Sequence, residues 1–308
     1  MYDLIIIGAG PAGLSAAIYG VRKKLKTLVL CQHLGGQAAE AHAVENYPGI
    51  PGISGAELSE KITAHAKKLG AEIKEGITIK RIAPTGDIFE IQADKDTFQG
   101  RAIILATGKK YRQLEIPGAA EFESKGISYC TTCDAPLFSG KTVAVIGAGD
   151  AGQDAAWQLT KYAAKIYLLN KYAELRGAHA QLHEHLSDNE KVEICANSEP
   201  VEIKGGKFVK GLVYKCGDDT KEIAVDGIFV EIGAVPASEL ARDLVKFNKK
   251  DEIVIDPKTN MTSRTGIFAA GDVTDTPQKQ MIVAAGEGAK AALGAAEYLK
   301  SLQNTDQY

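Results

Sequence analysis

One short pattern occurs twice in this chain. Gly8-Ala9-Gly10-Pro11-Ala12-Gly13 follows the apolar run Tyr2 to Ile7, and Gly147-Ala148-Gly149-Asp150-Ala151-Gly152 follows the apolar run Thr142 to Ile146. Each glycine cluster leads into helical spacing of small and apolar residues, Pro11 to Lys24 and Asp150 to Tyr162. A second apolar run then follows, Lys26 to Leu30 and Lys165 to Leu169. Strand, glycine turn, helix and strand in that order make a βαβ unit. A parallel sheet built this way is buried on both faces, so the repeat predicts an α/β fold used twice.

The spacing of the glycines carries chemistry as well as topology. In the first cluster Gly8 permits the tight turn after the strand, Gly10 lets the backbone approach a pyrophosphate, and Gly13 allows close helix-strand packing. The helix that starts at Pro11 and Ala12 adds a dipole suited to phosphates and free N–H groups, none of them from the proline. A dinucleotide site is therefore expected at Gly8, Gly10, Pro11, Ala12 and Gly13. The end of the second strand carries Cys31-Gln32 where an acid often grips a ribose hydroxyl, so other contacts must replace it.

At 308 residues the chain is comfortable for two domains with separate cores. A formal charge of −3 gives no excess of basic residues, and neither nucleic acid nor an anionic membrane is expected as a partner. No apolar stretch approaches the roughly 20 residues that span a bilayer. Met1-Tyr2-Asp3-Leu4 runs into a strand without a leader pattern, from which a cytoplasmic location is expected. Between the repeats, Ser54 to Leu69 reads as a helix capped by Ser54 with Glu57 three residues on, followed by β-rich segments up to Ala106. Tyr111 to Gly118 and Gly233 to Ser238 read as crossings between domains, Gly266 to Asp272 as a strand, and Pro277 to Leu302 as a closing helix. The expected organisation is 1–112 and 239–308 as one discontinuous domain, with 113–238 inserted in it.

Cys130-Thr131-Thr132-Cys133-Asp134 lies between the two repeats. Two cysteines at this spacing can cycle between dithiol and disulfide, a helix start there would lower one thiol's pKa, and an adjacent carboxyl can move the proton that exchange requires. Redox chemistry and metal binding share the spacing. Tetrahedral zinc wants two more ligands, and His179, His183 and His185 lie far along the chain without a second such pair, so no metal is expected. Of the five cysteines, Cys31, Cys195 and Cys216 lack near partners and are expected to be inert, mostly buried thiols. Trp157 is read as packing, and the three histidines and His65 as residues of solvated helix faces.

Taken together, the chain resembles the low-molecular-weight, thioredoxin-reductase-type flavoproteins over nearly its whole length. The resemblance rests on the Gly8 to Gly13 turn, Gly35-Gly36-Gln37, Val44-Glu45-Asn46-Tyr47-Pro48-Gly49, Ala106-Thr107-Gly108, Cys130 to Asp134, Gly147 to Gly152, and Gly266 to Val273. It implies two Rossmann-like dinucleotide-binding domains of the three-layer FAD/NAD(P)-binding kind, the second inserted in the first. It also implies FAD on the first domain, lined by Gly36, Gln37, Asn46, Thr107, Gly108, Gly271, Asp272 and Val273, with Lys279, Gln280 and Met281 near the isoalloxazine. By the same resemblance Cys133 faces the flavin, Cys130 attacks the disulfide of a thioredoxin-like protein, Asp134 is the general acid/base, and the protein is a homodimer. Since one dithiol cannot face a buried flavin and a protein disulfide at once, the inserted domain is expected to rotate about its two crossings.

The second repeat departs from the family pattern. Where NADPH enzymes carry a His-Arg-Arg run and a further Arg for the 2′-phosphate, this chain has Leu169-Asn170-Lys171-Tyr172-Ala173-Glu174-Leu175-Arg176, in which only Arg176 keeps its type. That argues against NADPH, and Asn170 is not the acid that NAD would prefer. The combination resembles the pyridine-nucleotide-independent branch, the ferredoxin-dependent flavin thioredoxin reductases, so reduced ferredoxin is the expected donor. A relaxed NADPH or NADH enzyme, a deazaflavin donor and a non-catalytic flavin redox sensor are the alternatives. Tyr308, at the end of a polar tail, is a candidate to stack on the flavin face, against the alternative of a frayed terminus.

Overall fold

The computed structural model describes residues 1–41, 44–176 and 180–305. The chain opens with β1 (Tyr2–Ala9), α1 (Pro11–Arg22) and β2 (Thr27–Leu34), continues through α2 (Gly55–Lys68), β3 (Glu72–Lys74), β4 (Ile79–Thr85), β5 (Ile88–Ala93) and β6 (Thr97–Leu105), and reaches β7 (Lys109–Tyr111). α2 begins where its cap predicts, with Ser54 Oγ accepting the Glu57 N–H at 3.1 Å. There follow β8 (Ile127–Ser128), α3 (Thr131–Asp134), β9 (Thr142–Ile146), α4 (Asp150–Leu159), β10 (Lys165–Leu169), α5 (Ala180–Ser187), β11 (Val192–Cys195), β12 (Ser198–Gly205), β13 (Val209–Cys216), β14 (Asp219–Ala224) and β15 (Gly227–Val230). The chain ends through β16 (Ala234–Pro236), β17 (Ile267–Ala269) and α6 (Met281–Thr305).

By compactness the chain divides into Met1–Lys110 with Val235–Tyr308, and Tyr111–Ala234. The boundaries read from the sequence, 112/113 and 238/239, stand beside 110/111 and 234/235 here. At the crossings β7 and β16 form a two-stranded ribbon.

In the first unit β3, β2, β1, β6 and β17 run parallel, and β4 and β5 continue antiparallel from β6. Leu4, Ile5, Ile6 and Ile7 of β1 are all buried. Leu4 and Ile6 meet Ala16, Ala17, Ala291 and Ala292 on the helical side, while Ile5 and Ile7 meet Phe89 and Ile91 on the other. Burial on both faces is why the strand is an unbroken apolar run rather than an alternating one, and each such side chain contributes about 1.5–3 kcal/mol. The layers are helices, parallel sheet and antiparallel strands.

The second unit repeats this layering. β11, β10, β9, β15 and β8 form a five-stranded parallel sheet. Ala155, Ala156 and Leu159 of α4 cover one face, and the antiparallel β12-β13-β14 sheet covers the other through Ile203, Val209 and Leu212. Two three-layer Rossmann-like units of α/β type are thus present, as the repeated pattern implies. The helices end sooner than the sequence suggests, α1 at Arg22 and α4 at Leu159, and α6 starts only at Met281. Pro277 to Gln280 instead form a loop whose Lys279 is used elsewhere.

Candidate redox site

Cys130 caps the one-turn helix α3, and a disulfide joins it to Cys133 with Cα atoms 5.3 Å apart. The Cys130 carbonyl accepts the N–H groups of Cys133 and Asp134, both at 3.1 Å. Ser128, at the end of β8, was not singled out in the sequence. Its Oγ accepts the Cys130 N–H at 3.1 Å and donates to Asp134 Oδ2 at 2.7 Å. The carboxyl next to the dithiol is therefore held in place by the strand that delivers the first cysteine. Thr131 is buried and donates to Glu231 Oε1 at 3.0 Å, and Thr132 donates to Gln158 Oε1 at 3.1 Å, so the residues between the cysteines are also fixed.

The first glycine cluster packs as its spacing predicts. Gly8 has φ +107°, and a Cβ there would fall 2.2 Å from the Ala106 carbonyl oxygen. Gly13 approaches so closely that its Cβ would lie 1.9 Å from the Gly8 oxygen, whereas at Gly10 the nearest atom, the Gly35 oxygen, is 3.8 Å away. Gly36 and Gln37 are exposed on a short 3-10 turn, and a Cβ on Gly36 would come 3.5 Å from Gly10 Cα. The open side of Gly10 thus faces the Gly35-Gly36 turn, and no side chain caps α1. This cradle fits an elongated anionic dinucleotide.

Several expected site residues, far apart in sequence, meet one another. Asn46 Nδ2 donates to Gln280 Oε1 at 3.2 Å. Asp272 pairs with Lys109 at 3.2 Å, and its carbonyl accepts Lys279 Nζ at 3.3 Å. Lys279 is also tied to the Thr274 carbonyl and to Glu252 at 3.0 Å. Burial alone would raise the Glu252 carboxyl, but hydrogen bonds from Asn248 and Lys279 and the Lys279 charge outweigh it and hold the group below its ordinary value. Met281 is the first residue of α6. Thr107 donates to the Ala237 carbonyl at 2.6 Å, and Gly108 accepts the Ala237 N–H, so this pair secures the return crossing as well. Glu287, which the sequence reading passed over, accepts the Gly271 N–H at 2.6 Å. The signal for it is an acid set between two glycines, Gly286 and Gly288, in the Ala/Gly-rich part of the helix. Tyr308 lies outside the described residues.

In the second unit Gly152 packs as Gly13 does, with a Cβ position 1.7 Å from the Gly147 oxygen, and Gly149 has open space beside it. The following strand ends differently from either nucleotide pattern. Asn170 is buried, donating to the Glu174 carbonyl at 2.9 Å and accepting the Tyr172 N–H at 3.3 Å. Lys171 pairs with Glu199 at 2.9 Å, and the Arg176 guanidinium lies 3.5 Å from the centre of the Tyr172 ring. Both cations near this strand end are engaged.

The remaining thiols are sheltered. Burial, aided by Glu75 and opposed by Lys67, pushes the Cys31 thiol up to about 11. Burial also raises Cys195, and Cys216 is half-buried. Trp157, 37% exposed, stacks on His185. One expectation needs correction. His183 is not on a solvated face: α5 packs on α4, and His183 Nε2 is buried without a hydrogen-bond partner among the described residues. His179 lies outside the described residues. No described helix is long and apolar enough to cross a membrane.

Residues 2–288 match the family model for pyridine nucleotide-disulphide oxidoreductases. The chain belongs to this family. A flavin-dependent reductase of disulfides is the enzyme class that goes with it. Among curated relatives, a component of the alkyl hydroperoxide reductase of Pseudomonas aeruginosa is 38% identical over 97% of this chain, which spans only 58% of that protein's length. The thioredoxin reductase of Streptococcus pyogenes superposes with a TM-score of 0.91 at 33% identity, covering 98% of this chain and 99% of the other. The ferredoxin-flavin thioredoxin reductase of Clostridium acetobutylicum gives a TM-score of 0.52 at 34% identity, covering 97% and 98%.

Proposed function

We propose that this chain passes electrons from NADH, in preference to NADPH, through FAD and the Cys130/Cys133 pair to the disulfide of a thioredoxin-like protein. The observation that carries this reading is the Cys130–Cys133 bond beside an Asp134 carboxyl fixed at 2.7 Å by Ser128. FAD, when bound, supplies the two-electron step that links the nucleotide to the dithiol. In the reduced protein the Cys130 thiolate attacks one sulfur of the partner disulfide, forming a mixed disulfide and releasing the partner's other thiolate. The Cys133 thiolate then attacks Cys130 sulfur, frees the second partner thiolate and restores the Cys130–Cys133 bond. Asp134 gives and takes the protons of these exchanges.

The family description and the preserved Gly147–Gly152 turn support a nicotinamide nucleotide as donor. Engagement of Lys171 with Glu199 and of Arg176 with Tyr172 leaves little for a 2′-phosphate, which argues for NADH. The ferredoxin donor expected from the sequence is the second reading, favoured by the likeness to the Clostridium enzyme and by an Asn170 spent on its own turn. A homodimer and a cytoplasmic location belong to the same proposal. The deciding experiment is anaerobic bleaching of the flavin by NADH, NADPH and reduced ferredoxin in turn, followed by turnover of a thioredoxin. Rapid bleaching by NADH supports the first reading; bleaching by ferredoxin alone replaces it with the second.

A further inference from the structure

We propose that Glu287 is the positioning residue of the flavin cradle, setting the Gly271–Asp272 turn against the first glycine cluster. The inference rests on the reading of that cradle as the FAD site. Among the described residues Glu287 is the one Asp, Glu, Lys or Arg whose side chain is buried, at 6% exposure. A carboxylate in that position is costly unless several donors meet it, and α6 needs no acid there to pack. Here one oxygen accepts the Gly271 N–H at 2.6 Å, the other accepts the Thr276 hydroxyl, and the Thr274 hydroxyl, which donates to the Gly271 carbonyl at 2.8 Å, lies 3.3 Å from the first oxygen. All the donors come from the one turn, Gly271 to Thr276.

The same stretch of helix also touches the glycine cluster. A Cβ on Gly288 would fall 1.9 Å from the Ala12 carbonyl oxygen, so α6 and α1 meet backbone to backbone beside Glu287. Gly271, at φ +79°, closes on Ala12 from the other side, with its Cβ position 3.0 Å from the Ala12 methyl. Glu287 therefore holds the turn whose Gly271 packs on Ala12, in the first turn of α1. Asp272 follows directly from the held amide, and its carboxylate and carbonyl are met by Lys109 and Lys279. Rotation of the Gly271 peptide would move that carboxylate away from the cradle.

A purely structural Glu287 would lower the stability of the flavin-free protein and leave FAD affinity alone, so affinity is the quantity to measure. FAD is titrated into deflavinated full-length wild type, Glu287→Gln and Glu287→Asp, reading flavin fluorescence and the visible circular dichroism of the bound flavin. Glutamine keeps an acceptor for the Gly271 N–H while the Thr276 hydroxyl turns to accept its amide. Its affinity should stay within about threefold of wild type, whereas aspartate, one methylene short, should weaken FAD about 10- to 100-fold and change the dichroism. Wild-type affinity in Glu287→Asp, with the dichroism unchanged, overturns the proposal for Glu287 alone. Failure of the wild type to take up FAD overturns the cradle reading and this proposal together.

Discussion

The Asn46 side-chain amide donates to the Gln280 side-chain oxygen at 3.2 Å, joining an early loop to the approach to α6. Both residues belong to the expected flavin site, yet the bond forms within the protein alone. If the pair works as one contact, Asn46→Ala and Gln280→Ala should each weaken FAD binding, and the double variant should be no worse than the poorer single one. The expected coupling is about 0.5–1.5 kcal/mol, read from a double-mutant cycle on FAD dissociation constants. Additive losses would show that the two residues act separately.

Replacing Cys130 or Cys133 by serine should lower thioredoxin turnover about a thousandfold or more while NADH still bleaches the flavin. Alkylation separates the thiols: in the reduced protein iodoacetamide at about pH 7.5 should label Cys130 ahead of Cys31. The Cys31 thiol, pushed up to about 11 by burial, is almost wholly protonated there. Rapid labelling of Cys31 would contradict the structure.

Asp134→Asn should slow disulfide turnover about 100-fold with little effect on flavin reduction, as loss of a proton carrier predicts. Ser128→Ala removes the hydroxyl that donates to Asp134 Oδ2. A smaller loss in the same step, about tenfold, is expected from it. Stopped-flow traces of the two half-reactions check both variants.

Glu199 holds Lys171 at 2.9 Å on the surface. Glu199→Gln should free that cation and lower the KM for NADPH about threefold, leaving NADH unchanged, a change matched to the small worth of an exposed ion pair. Equal effects on both nucleotides would remove Lys171 from the recognition of phosphate.

Glu252 is held below its ordinary value, so its folded form stays charged at pH values where the unfolded group takes up a proton. Its contribution is present above the unfolded carboxylate value, about 4.3, and is lost as pH falls through the lower folded value. Glu252→Gln should therefore cost about 1–2 kcal/mol at neutral pH, and progressively less as pH falls from about 4.3 through the lower folded value. Urea melts across the pH range measure the convergence.

The two βαβ units were legible because glycines and unbroken apolar runs are local signals, as was the Ser54 cap. The β12-β13-β14 sheet was not, since its strands carry neither a glycine fingerprint nor a continuous apolar run and are defined by pairing such as Leu212 with Ile223. The dithiol and the glycine turns of the site were readable from spacing. Ser128, Glu287 and the Lys279–Glu252 pair were not, because each acts through a partner that only the fold brings near. His183 shows the same limit: helical spacing put it on a polar face, and packing of α5 on α4 buried its Nε2.

Asn170 gives the inserted unit a property that bears on its redesign. Its side chain is built into the turn it opens, so an acid there would lose the bond to the Glu174 carbonyl, and a base the acceptor for the Tyr172 N–H, whatever it did to a ribose contact. Engineers seeking to retune coenzyme choice would do better to begin with the outlying pairs and leave that asparagine untouched.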